Sequence, residues 1–135
     1  MTSPAVTVIY LYAALCGLLL FALSLNVSRN RGKYKVSLGD GGHEELMRAI
    51  RAQGNFVEYT PLVLLLLLLL ELKGAPVLAL HILGASYFVS RVLHGLGMIM
   101  SARPNPMRGI GAGVSWLVLI IASVWLLAIA FTHPM

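Results

Sequence analysis

Four stretches of this 135-residue chain are each long and apolar enough to cross a lipid bilayer, and that narrows the possible folds more than any other feature. A membrane helix needs about 20 mostly apolar residues. The first stretch runs from about Val6 to Val27 without a charge. The second is centred on the run from Leu62 to Leu70 and carries Glu58 within it. The third runs from about Pro76 to Met100 and holds only Arg91, and the fourth, from about Gly109 to Thr132, holds no charge. Backbone polar groups inside a bilayer must be satisfied within the chain, which makes each stretch a helix. The expected fold class is therefore all-α, an integral membrane four-helix bundle forming one domain over residues 1–135, with spans at about 6–27, 44–72, 76–100 and 109–132. Charged residues make up 11% of the chain, against about a quarter in a soluble domain. One cysteine excludes a disulfide framework and a zinc site of CxxC type. The segment from Met1 to Tyr12 lacks the positive flank of a cleavable signal peptide, so the first span is expected to be retained.

The basic residues orient the bundle. Arg29, Arg31, Lys33, Lys35, Arg48 and Arg51 lie in or beside the first loop, Arg103 and Arg108 in the third, and only Lys73 in the second. Positive residues favour the cytoplasmic side, which places loops one and three inside and both termini outside. Topology and attraction to anionic lipid account for the positive excess without a nucleic-acid partner.

Loop one is the longest connection. It has a basic stretch from Lys33 to Lys35, a turn at Gly39-Asp40-Gly41-Gly42, and then His43, Glu44 and Glu45, which open a helix with acids on its favourable N-terminal turn. That helix is expected to run to Leu72, roughly 43 Å, so its first turns protrude from the hydrocarbon. Pro61 should kink it or be absorbed by neighbouring helices. Lys73-Gly74-Ala75-Pro76 makes a tight turn, and Arg103-Pro104-Asn105-Pro106 breaks the chain before the fourth span.

Glu58 and Arg91 stand at comparable depth, roughly 21 Å and 22 Å along their helices from the tight turn between Leu72 and Pro76. Ionisable groups at that depth cost about 2.5–3.5 kcal/mol or more unless paired or facing a cavity, so the two are expected to pair, directly or within a network. Helical spacing puts Arg48, Arg51, Asn55, Glu58 and Leu62 on one stripe with Tyr59 beside it, and Arg91, His94 and Met98 on another. Together they predict a polar wedge, wet at its cytoplasmic end and dry at Glu58. Two readings stand: a buried ion pair that fixes helix register, or a site for an anionic ligand, since Arg can hold a carboxylate in a fork. His94 has no second His or Cys at its level, so no metal is expected. Cys16 is read as a small apolar filler, and His81 and His133 as interfacial. Gly109 and Gly113 form a GxxxG suited to close helix packing, within the protomer or between subunits. Trp116 and Trp125 are read as anchors or packing. No phosphate-binding glycine loop and no Ser-His-Asp arrangement occurs.

The stretch Arg51-Ala52-Gln53-Gly54-Asn55-Phe56-Val57-Glu58-Tyr59-Thr60-Pro61 resembles the span-two signature R-x-Q-x-N-x-x-E-x-x-P of the MAPEG superfamily, the membrane-associated proteins in eicosanoid and glutathione metabolism. The Gly-Asp-Gly-Gly turn and Arg91-Val92-Leu93-His94-Gly95-Leu96-Gly97 resemble a bacterial branch of it. The resemblance spans the whole chain. It implies a homotrimer in a bacterial inner membrane, with glutathione as co-substrate, bound between neighbouring subunits near the cytoplasmic face. By motif, Arg51, Gln53, Asn55, Glu58 and Tyr59 would hold glutathione, with Arg91, His94 and Arg29 assisting. Arg31 matches a basic position near the ligand in relatives. Arg103 and Arg108 both compete for the role of the arginine that stabilises the thiolate, and Arg108, directly before the fourth span, is preferred. The third span departs from the eicosanoid enzymes, with His94 and Met98 where they carry tyrosines.

The resemblance thus implies a transferase or peroxidase acting on hydrophobic electrophiles or lipid hydroperoxides that enter from the bilayer. A non-catalytic binding or scaffold module is the alternative, distinguished by binding without turnover. A small proton-coupled transporter is a third reading, disfavoured because Glu58 has an arginine nearby.

Overall fold

A computed structural model describes residues 6–132, and the reading of His133 falls outside them. Four helices follow one another: α1 (Ile9–Tyr34), α2 (Glu44–Leu72), α3 (Val77–Met100) and α4 (Pro106–Thr132). All four have the length and hydropathy of membrane spans. The second helix has the bounds expected of it. α2 and α3 form the central antiparallel pair; α1 packs against both from one side and α4 packs against both from the other. Their shared core includes Tyr12, Cys16, Leu23, Phe56, Val63, Leu67, Leu80, Tyr87 and Val118.

The first helix outruns its apolar stretch and continues through Arg29, Arg31 and Lys33. Basic residues in a last turn suit the negative end of the helix dipole, so charge does not stop this helix. It stops at Lys35, which takes a left-handed conformation (φ 55°) and donates its N–H to the Arg31 carbonyl. Loop one then folds back onto the helices it joins. Arg31 Nη1 donates to the Gly39 carbonyl at 2.8 Å, and Tyr34 stacks on His43 with ring centroids 4.1 Å apart. Tyr34 Oη and Lys33 Nζ both donate to Glu45 Oε2, which ties the end of α1 to the first turn of α2.

At the opposite end, Glu71 does a job that composition does not reveal. Its carboxylate accepts from the backbone N–H groups of Thr7, Val8 and Ile9 at 2.6, 2.7 and 2.9 Å, and from the Thr7 hydroxyl at 3.2 Å. No local side chain caps α1. The first N–H groups of a helix lack intrahelical partners, and here an acid from the end of α2 satisfies them.

The fourth helix starts earlier than the sequence suggests. Pro106 is its first residue, where a missing N–H costs nothing, and Asn105 Oδ1 accepts from the Arg108 N–H at 3.0 Å as an N-cap. The expected role of the GxxxG is corrected within the protomer. Gly109 and Gly113 look onto open space, while a Cβ on Gly111 would lie 2.6 Å from the Ser90 carbonyl oxygen and from the His94 nitrogen. Two residues along a helix is about 200° of rotation, so the α3 contact falls on Gly111, Ser115, Val118 and Ala122 instead.

Candidate functional site

Where α2, α3 and α4 meet near the loop-one end, Asn55, Tyr59, Arg91, His94, Arg108 and Trp116 line a cavity of about 330 Å³. Five of these come from the sequence-derived site. Trp116 was read only as an anchor or packing residue.

Arg91 lies at the centre of this arrangement and is 2% exposed. Its Nη2 donates to Asn55 Oδ1 at 2.5 Å and lies 3.4 Å from His94 Nδ1, and its Nη1 donates to Ser115 Oγ at 3.2 Å. The guanidinium sits 5.9 Å from the centre of the Tyr59 ring. Its Nε is buried with no partner. Every hydrogen-bond partner of this cation is formally neutral. Ser115 is in turn fixed by the Gly111 carbonyl and by Ser90 Oγ, each at 2.8 Å. Ser90 and Ser115 are site residues the sequence reading missed. The signal that could have found Ser115 is its spacing of four from Gly111, one helical turn on the face that meets α3.

The expected pairing of Glu58 with Arg91 does not form. No hydrogen bond or ion pair links them, directly or through a shared side chain, among the described residues. Glu58 Oε1 instead meets Arg51 Nη1 at 3.3 Å. The two are seven residues apart, nearly the same azimuth on a helix, and Gly54 between them presents no side chain; a Cβ there would lie 3.3 Å from Arg51 Nη1. Both side chains are about half exposed, 51% and 52%, on the outside of the single four-helix unit. The wedge is therefore not dry at Glu58 within one protomer.

The remaining residues divide. Gln53 Nε2 donates to Ser24 Oγ at 2.8 Å, so it faces α1 rather than the cavity. Arg31 is engaged by the loop carbonyls of Val36 and Gly39. Arg29 is exposed, as is Arg103, and Arg103 does not line the cavity that Arg108 lines. Of Arg103 and Arg108, it is thus Arg108, in the first turn of α4, that lines one cavity with Asn55, Arg91 and His94. Below the cavity, Thr60 and Tyr87 join α2 to α3 through their hydroxyls, 3.0 Å apart.

Chemically, the cavity offers two guanidiniums, an imidazole, two amides and a phenol, with no carboxylate in its lining. Desolvated cations without a counterion strongly favour an anionic occupant. A sequence model of the MAPEG family matches residues 9–128. The inner membrane protein YecN of Escherichia coli K12 is 39% identical over 118 residues, which cover 85% of this chain and 88% of that protein. YecN of Escherichia coli O6:H1 matches with the same figures.

Proposed function

The chain belongs to the MAPEG family of membrane proteins, and from that premise we propose that it binds glutathione in the Arg91 cavity and uses its thiol on hydrophobic electrophiles or lipid hydroperoxides. The observation that carries the reading is Arg91: a buried guanidinium, at membrane depth, with neutral partners and an unpartnered Nε beside a cavity. An anion with carboxylates supplies the missing charge. The residues fit such a ligand, since Asn55, Tyr59 and His94 add polar contacts beside the two arginines.

Glutathione supplies the thiol, which gives up its proton so that its sulfur either bonds to an electrophilic carbon and displaces a leaving group such as chloride or, as two glutathiones form a disulfide, reduces a hydroperoxide to alcohol and water. The chain supplies the electrostatics. A free thiol has a pKa near about 8.5, and neighbouring cations lower it. Arg108, at the cavity rim, is assigned to hold the thiolate, while Arg91 and Asn55 orient the peptide portion. The enzyme needs no nucleophile of its own, and Cys16 is buried in the core and does not line the cavity.

The same reading includes a homotrimer with sites between subunits. The support is the half-exposed Arg51–Glu58 pair. An ion pair facing lipid at that depth is costly, and a neighbouring subunit would cover it. Arg51, Gln53 from its α1-facing side, Arg29 and Arg31 could then reach the ligand from across the interface. Loops one and three face the cytoplasm, following the distribution of positive residues.

Calorimetry of the purified protein in detergent tests the binding half, and conjugation of 1-chloro-2,4-dinitrobenzene or reduction of a lipid hydroperoxide tests the chemistry. Saturable glutathione binding with turnover is the expected result. Binding without turnover would make the protein a binding module, and no binding at millimolar glutathione would overturn the proposal.

A further inference from the structure

At the same end of the bundle a second cavity, about 230 Å³, adjoins the first. Arg48, Arg51 and Arg108 line it with Ser101, Met47 and Met98, and no carboxylate does. Arg48 is held from behind: its Nη1 donates to the Ile99 carbonyl at 2.8 Å, where α3 is ending and carbonyls lack helical donors. Glu44 Oε1 lies 3.7 Å from Arg48 Nε, too far for a hydrogen bond, and that Nε is buried without a partner. Ser101 Oγ accepts from the Arg103 N–H at 3.1 Å, which leaves its own hydrogen free to donate. Even counting Glu44 and Glu58, which reach two of the arginines from outside, the cluster keeps a net positive charge.

The geometry points to a phosphate-binding site centred on Arg48, which the glutathione reading does not use, and sharing Arg51 and Arg108 with that reading. A carboxylate is saturated by one guanidinium fork, whereas guanidiniums approaching from α2 and from α4 match an anion with three or more oxygens. The setting fits a membrane-surface phosphate. Eight of the ten lysines and arginines lie at this end of the bundle, and two methionines flank the cavity. Basic pockets between helices at a membrane surface hold the headgroups of anionic lipids, and a free phosphate ion presents the same chemistry.

Two titrations without glutathione test the site and separate the sources, and they fail independently of any glutathione measurement. Purified protein in neutral detergent is titrated calorimetrically with inorganic phosphate. Protein in phosphatidylcholine nanodiscs is given spin-labelled phosphatidylglycerol or spin-labelled phosphatidylcholine, and the immobilised fraction is compared. Severalfold selectivity for phosphatidylglycerol supports the site with a lipid headgroup as its occupant; saturable phosphate binding without lipid selectivity supports it with a free phosphate. Either signal should fall roughly fivefold in Arg48→Gln. Because Arg48 also holds the Ile99 carbonyl, Ser101→Asp provides a second variant that leaves that bond in place and puts a negative charge in the pocket; it should lose the signal too. The proposal is overturned if neither ligand binds the unaltered protein selectively, or if binding survives Ser101→Asp.

Discussion

Arg91 donates to Asn55 across the α2–α3 interface at 2.5 Å, while Glu58, the carboxylate at matching depth, pairs with Arg51 along its own helix. The buried cation therefore has no carboxylate partner among the described residues. This relationship gives the sharpest test of the site. Asn55→Asp places a carboxylate against Arg91 and satisfies it internally. The variant should fold at least as stably as the parent in a thermal melt yet bind glutathione about tenfold or more weakly by calorimetry, a loss equivalent to one hydrogen bond to a charged group. Unchanged affinity would remove Arg91 from the ligand site.

Arg108 is assigned to the thiolate because it lines the cavity and Arg103 does not. Arg108→Ala should lower turnover by about 10²–10³-fold, as loss of a charge-stabilising donor does. It should also move the pH–rate profile upward, toward the free thiol near about pH 8.5, since removing the cation disfavours the thiolate. Arg108→Lys should shift it less. The same replacements at Arg103 should leave the profile in place.

Glu71 caps the N-terminus of α1 from the end of α2. Glu71→Ala strips three backbone N–H groups of their acceptor and should cost about 2–3 kcal/mol of stability. The drop in melting temperature should come without a change in glutathione affinity, because the cap lies at the opposite end of the bundle from the cavity.

The α3–α4 contact gives a paired prediction. A Cβ on Gly111 meets the backbone of Ser90 and His94 at 2.6 Å. Gly111→Ala should therefore destabilise the protein by about 1–3 kcal/mol through overpacking and weaken glutathione binding by shifting Ser115 and His94. Gly109→Ala and Gly113→Ala meet nothing within 4 Å and should leave the protomer's stability unchanged or slightly raised. Size-exclusion chromatography with light scattering would show whether alanine at Gly113 alters subunit association instead, whereas Gly109 lines the Arg91 cavity.

Much of this molecule is legible along its chain. The four spans, the bounds of α2 and the two stripes that carry Asn55 with Tyr59 and Arg91 with His94 follow from apolar length and helical period. Two helix ends are less legible. α1 runs on through basic residues that suit its C-terminus, and the proline that looks like a breaker before α4 is that helix's first residue. Glu71 is invisible for a different reason: its partners lie more than sixty residues away in sequence, at the start of α1.

The sequence by itself determined which segments span the membrane, how deep each charge lies and which charges share a helix face, because a helix advances about 1.5 Å and turns about 100° per residue. Rotation of one helix against its neighbour is not contained in those numbers. Asn55 and Glu58 stand at adjacent heights about 60° apart on α2, so a modest turn of the helix decides which of them meets Arg91. The Thr60–Tyr87 hydroxyl contact and the Arg48 bond to the Ile99 carbonyl hold α2 against α3 at one rotation, and the tertiary structure thereby gave Arg91 an amide in place of a carboxylate.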